Sequence, residues 1–137
     1  MPEVDTSRDM HRPGHLSDAW DASLMQYSAD IGVTNLDLVK GIFSETIPTT
    51  VPKIGPVRLA HIDCDLYQSV AESYDGLKRF MVPDGYIAFN DPLISSCLGA
   101  FEAVEELVIR RDGLHAEQAS PHLVLPCPAG SETESGQ

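Results

Sequence analysis

Two apolar spacings alternate along this chain. Short apolar runs bounded by turn residues predict buried strands at Leu36–Val39, Val57–Ile62, Tyr86–Phe89 and His122–Leu125. Between them Leu66, Val70, Tyr74, Leu77 and Met81 recur at helical spacing, and so do Cys97, Ala100, Phe101, Val104, Leu107 and Val108. An earlier helix is expected through Trp20, Leu24, Met25 and Tyr27, capped by Ser17 or Asp18 and closed by Gly32. Turn chemistry supplies the joints. Gly41 to Pro48 leaves the first strand, and a Pro- and Thr-rich surface connection follows to Pro56. Pro83-Asp84-Gly85 is a turn signal, Pro92 stops a strand, and Gly113 ends the last helix just after Arg110 and Arg111, which suit its C-terminal dipole. Pro126-Cys127-Pro128 breaks the final strand.

Strand, helix, strand, helix, strand predicts an α/β fold with parallel strands and right-handed crossovers. Residues 1–15 lack an apolar period and read as a flexible arm, 16–128 as the domain, and 129–137 as a disordered tail. No internal repeat is visible.

Composition narrows the partners. A chain of 137 residues holds one domain with a modest core, and its 42% apolar and 22% charged content is that of a globular protein. With 9 Lys and Arg against 21 Asp and Glu, the net charge of -12 argues against nucleic acid, whose phosphates demand cationic faces. Part of that charge is tail and solvated helix. The sequence shows no signal-peptide pattern and no apolar run long enough for a membrane span. Cys64, Cys97 and Cys127 are odd in number and widely spaced, so neither a disulfide framework nor a paired-Cys zinc site is expected, and a reducing, cytoplasmic setting follows.

The chemistry concentrates where two strands end. Val57–Ile62 runs into Asp63 and Asp65, and Tyr86–Phe89 into Asn90 and Asp91. Neighbouring parallel strands lie about 4.8 Å apart, so these oxygens can meet at one cation. In open α/β sheets, the carboxyl ends of the strands are where ligands bind. An oxygen-only set suits magnesium or calcium; a bound dication would lower the pKa of a substrate hydroxyl and leave a carboxylate to take the proton. Asp65, at the start of a helix, is expected to be the more exposed and the better base, with Asp63 the firmer ligand. Each group also has a plainer reading, with Asp65 as a helix N-cap, Asp63 as a strand terminator and Asn90-Asp91 as a turn. Their coincidence on successive strand ends favours a site. His61 and Cys64 are expected in the core, Tyr67, Tyr74 and Phe101 at core or rim positions, and the other histidines show no ligand spacing.

Gly41-Ile-Phe-Ser-Glu-Thr-Ile-Pro48, His61-Ile-Asp-Cys-Asp-Leu-Tyr-Gln-Ser69, Val82-Pro-Asp-Gly-Tyr86 and Phe89-Asn-Asp91 together resemble motifs of the macrocin O-methyltransferase family, from about Ser23 to Leu107. Cys97-Leu-Gly-Ala-Phe-Glu-Ala-Val104 is similar to the family's following helix. The resemblance implies a Rossmann-like sheet, mostly parallel with helices on both faces, and S-adenosylmethionine- and magnesium-dependent methylation of a sugar or phenolic hydroxyl. It implies Asp63, Asn90 and Asp91 as metal positions, Asp65 as general base, and Gly41 and Phe43 beside the adenine end of the cofactor. Asn90 and Pro92 depart from the family's Asp and Tyr, which removes one charge from the metal set, and Asp84 replaces a turn glycine.

The family's first strand and Gly-rich loop, which hold the methionine part of the cofactor, have no counterpart here, nor has the ribose-binding acid of its second strand. Met1-Pro-Glu3 is similar to a segment that follows that second strand. The expectation is therefore the C-terminal part of a longer enzyme, weak or inactive alone. A sheet so cut would expose an apolar edge, inviting a homo-oligomer or association with an upstream half. The alternatives are an inactive binding or oligomerisation module, or an Asp-x-Asp phosphatase or glycosyltransferase. The phosphatase reading is disfavoured by Tyr67, where Thr or Val is expected; the glycosyltransferase reading is disfavoured by the long helix after the motif.

Overall fold

The computed structural model describes residues 4–11 and 21–127. Its elements are α1 (Asp21–Asp30), α2 (Phe43–Ile54), β1 (Val57–Ile62), α3 (Tyr67–Leu77), a short 3-10 turn (Lys78–Phe80), β2 (Met81–Phe89), α4 (Leu98–Ala103) and β3 (Leu123–Pro126). Helix α4 widens into a π-helical stretch, Val104–Arg111. The tail expected at 129–137, the expected caps Ser17 and Asp18, and Trp20 fall outside the described residues.

The sheet has the order β1-β2-β3, with β1 and β2 parallel through the α3 crossover and β2 and β3 antiparallel. The fold is α/β, as the spacing predicts, but the sheet is mixed rather than wholly parallel. No helix lies between α4's π-helical extension and β3; instead residues 112–122 turn the chain back, and Gln118 bridges Val124 on the way.

Register explains the core. On β1 Ala60 and Ile62 point inward, on β2 Ile87 and Phe89, and on β3 Leu123 and Leu125, as the two-residue period requires. They close on Val70 and Tyr74 of α3 and on Ala100, Ala103, Val104 and Val108. The opposite face keeps Leu59 66% and Tyr86 39% exposed, so among the described residues helices cover one face of the sheet, not both. Those two residues are register partners, which makes the bare patch continuous across β1 and β2.

Three further expectations change. Leu36–Val39 forms no strand, and Leu38 and Val39 are exposed: a strand needs a ladder, and the outer edge of β1 carries no partner among the described residues. The Pro/Thr-rich stretch is a helix, α2, despite Pro48 and Pro52. Both prolines face solvent, while Ile47 and Val51, four apart, are buried. The hydroxyls of Thr46 and Thr49 donate to the carbonyls of Ile42 and Glu45. Pro83-Asp84-Gly85 lies inside β2 as a bulge. Two steps along β1, from Val57 to Leu59, match five along β2, from Met81 to Tyr86. Asp84 takes φ +60° there, and a Cβ on Gly85 would sit 2.8 Å from the Arg58 carbonyl oxygen.

The segment expected to be a flexible arm is packed where it is described. Asp9 is 7% exposed and accepts from the Tyr67 backbone N–H at 3.0 Å, capping α3 from afar. Arg8 lies over the Tyr67 ring at 4.3 Å and pairs with Glu102 and Glu106. Gly99 is what lets the segment in, because any Cβ there would collide with the Asp9 carboxylate.

Candidate functional site

The ends of β1 and β2 are stitched together by one amide. Asn90 extends the ladder, its backbone N–H donating to the Ile62 carbonyl at 3.0 Å. Its side-chain Nδ2 donates to Asp63 Oδ1 at 3.1 Å and to Asp91 Oδ1 at 3.0 Å. Two carboxylates from neighbouring strands therefore share one donor. Asp63 is exposed, whereas Asp91 is 4% exposed and its Oδ2 has no hydrogen-bond partner among the described residues.

Burial pushes the Asp91 carboxyl up to about 6, helped by the Asp63 carboxyl beside it and by the charges of Asp65 and Asp63; the Asn90 amide pulls the other way. Two ionised carboxylates cannot donate to each other, so a proton on one of them would let the pair hydrogen-bond. Burial also pushes the thiols of Cys64 and Cys97 up to about 11, with the neighbouring acids adding to it. The cluster is rich in negative charge.

Asp65 lies on the far side of this cluster and is less exposed than Asp63, contrary to the sequence expectation. Its Oδ1 accepts from the Cys97 thiol at 3.4 Å and its Oδ2 lies 3.9 Å from His11 Nε2. It does not cap α3: Leu66 is the N-cap residue and Asp9 supplies the acceptor. The turn from Asp91 to Cys97, closed by Ile94 N–H to Asp91 O and Cys97 N–H to Ile94 O, brings the thiol back over Asp65. Sequence reasoning missed Asp9, His11 and Cys97 as neighbours of this site. Cys97 at the start of a helix after a strand-end loop was a usable signal; the two upstream residues offered none.

Gly41 and Phe43 sit at the entry to α2. The Ser44 N–H donates to Glu72 Oε2 at 3.3 Å, and a Cβ on Gly76 would meet Ile47, so α2 runs along α3 in the same direction. Its start therefore lies toward the end of α3 where Asp65 stands. Gly41 packs against the Thr46 methyl and Phe43 is 37% exposed; among the described residues neither hydrogen-bonds to the carboxylate cluster. His61 is exposed rather than in the core, with its ring edge-on to His122 at 5.4 Å.

A cavity of about 370 Å³ lies elsewhere, at the opposite end of the sheet, lined by Tyr74, Lys78, Met81, Asp112, Leu114 and Cys127 among others. Its acid is neutralised. Asp112 accepts from the Tyr74 hydroxyl at 2.8 Å and Lys78 at 2.9 Å, and pairs with Arg111. At the strand ends, by contrast, no Lys or Arg pairs with Asp63, Asp65 or Asp91 among the described residues. All three cysteines are free thiols, and among the described residues no helix is long and apolar enough to cross a membrane.

The fold is similar to that of solved O-methyltransferases. The structure of NovP, an O-methyltransferase, superposes with a TM-score of 0.66 at 18% identity over 80% of this chain and 44% of that one. CalS11, a TDP-rhamnose 3'-O-methyltransferase of calicheamicin biosynthesis, gives 0.55 at 21% identity over 65% of this chain and 40% of its own. A second CalS11 structure gives the same score and identity with 36% of its chain covered. The chain thus spans less than half the length of these structures, and likenesses at such identity establish the fold. No curated protein matches the sequence. The profile of the macrocin-O-methyltransferase (TylF) family matches residues 24–112, and the chain belongs to that family.

Proposed function

We propose that the chain is part of an S-adenosylmethionine- and magnesium-dependent O-methyltransferase acting on a hydroxyl of a sugar or phenolic natural product. The observation that carries this reading is the Asn90 bridge between Asp63 and Asp91, with the buried Asp91 Oδ2 left unpartnered. A buried carboxylate oxygen without a donor is costly, and a hard cation relieves that cost. Asp63, Asp91 and the side-chain oxygen of Asn90, its amide turned over, would hold the magnesium ion. When bound, the ion would lower the acceptor hydroxyl's pKa, and the methyl donor would present a carbon on a positively charged sulfur. Asp65 would take the hydroxyl proton, its orientation held by the Cys97 thiol. Gly41 and Phe43 would flank the adenine. Among the described residues no glycine-rich loop follows a strand and opens a helix, so cofactor affinity would be low in this chain alone. The free thiols suit a cytoplasmic setting.

The bare patch at Leu59 and Tyr86 and the open edge of β1 favour a second reading: association with an upstream half or a second copy, the chain serving as a binding module. Calorimetric titration with S-adenosylmethionine, with and without magnesium, separates the two. Heat that depends on magnesium and vanishes in Asp91→Ala supports the enzyme reading. Absence of heat in both conditions supports the module.

A further inference from the structure

The geometry points to a second metal site, for a soft divalent ion of the zinc class, at His11, Asp65 and Cys97. The ligands come from three separate stretches: the upstream segment, the β1–α3 loop and the start of α4. One atom from each lies within 4.8 Å of the others. His11 Nε2 is 3.8 Å from Cys97 Sγ and 3.9 Å from Asp65 Oδ2, and Cys97 Sγ is 3.4 Å from Asp65 Oδ1. Tetrahedral zinc, with its sulfur ligand at about 2.3 Å and nitrogen and oxygen ligands at about 2.0–2.2 Å, sets its ligand atoms about 3.3–3.6 Å apart. Cys97 and His11 lie near different oxygens of Asp65, so closure requires its carboxylate to turn until one oxygen approaches both partners.

The donor chemistry separates this set from Asp63, Asn90 and Asp91. Thiolate with imidazole selects zinc and its neighbours, whereas magnesium avoids sulfur and takes the oxygen-only set. The charge also fits, since three carboxylates crowd this end of the sheet and no Lys or Arg pairs with Asp63, Asp65 or Asp91 among the described residues. The side chains of His11 and Asp65 are each 22% exposed, which gives an ion a way in, while Cys97 is buried beneath them. As the sulfur–metal bond forms, the thiol proton leaves to solvent. Three protein ligands leave a fourth position for water or a substrate oxygen. If Asp65 is the base of the proposed methyl transfer, occupancy here would silence it.

Cobalt reports on such a site without any assay of activity. Titrating Co²⁺ into the full chain is expected to raise a thiolate-to-cobalt charge-transfer band and strong tetrahedral visible bands, unaffected by excess magnesium and removed by zinc. Cys97→Ser should abolish the charge-transfer band, and His11→Ala should weaken binding by roughly tenfold or more. Cys64→Ser and Cys127→Ser should leave both unchanged. No band in the wild-type chain, a band that survives Cys97→Ser, or His11→Ala binding as tightly as wild type would overturn the proposal. Cadmium NMR on the wild-type chain needs no substitution: a shift typical of one sulfur ligand supports the site, and an all-oxygen shift sinks it.

Discussion

The two ends of the small sheet hold carboxylates with opposite fates. At the end where α3 finishes, Asp112 and Asp75 face Arg111 and Lys78, and these cations hold both acids below the usual carboxylate range, with Arg111 the larger influence. At the end where β1 and β2 finish, Asp91 is buried beside other acids, meets no cation among the described residues and is pushed up. The first arrangement stabilises the fold; the second opposes it. That unpaired buried acid is the group on which the proposed cation site depends. In the hollow lined by Tyr74, Lys78 and Asp112, by contrast, the acid is already satisfied.

The greatest disturbance should come from the core that spaces the two ends. Phe89 is fully buried, its ring 6.2 Å from that of Tyr74. Phe89→Ala should cost about 3–5 kcal/mol in urea unfolding, and a loss below about 1 kcal/mol would mean that β2 is not the centre of the core.

Next come the acids, which should move stability in opposite directions. Asp112→Ala removes the acceptor of Tyr74, Lys78 and Arg111 and should destabilise by about 1–3 kcal/mol at neutral pH. Asp91→Asn should instead stabilise by about 1–3 kcal/mol at pH 8 in metal-free buffer and do little at pH 4. The signs follow from linkage. The Asp91 carboxyl is raised, so its folded form is favoured at low pH, and stability falls as pH climbs from the ordinary carboxylate value to about 6. The Asp112 carboxyl is depressed, so its contribution is present above the ordinary value and is lost as pH falls below it. Paired unfolding curves at the two pH values check both; the same sign for both variants would erase the contrast. Smallest is Tyr74→Phe, which deletes one hydrogen bond to Asp112 and should cost about 1 kcal/mol.

Much of this was legible in sequence where local signals agreed. β1, α3, the inner part of β2 and the helix from Leu98 were each marked by apolar spacing and a stop signal, and the Asp63/Asp65 and Asn90/Asp91 pairs stood out because strands end there. What escaped depends on contacts distant in sequence. Leu36–Val39 has strand-like composition but no neighbour to pair with. In α2, prolines that would break a buried helix are tolerated on its solvent side. β3 reverses direction because a loop, not a helix, leads into it. Asp9 and His11 lie more than fifty residues from the groups they touch, so no window over the sequence could join them to Tyr67 or Asp65.

We propose that Asp63, Asn90 and Asp91 act together as a hard-cation site. Thermal unfolding at pH 7.5 against rising magnesium tests it most directly, because an ion that binds only the folded chain raises the midpoint with concentration. The wild-type midpoint should climb while that of Asp91→Asn, although higher at the start, stays flat. A flat wild-type curve, or an equal climb in both proteins, would contradict the assignment.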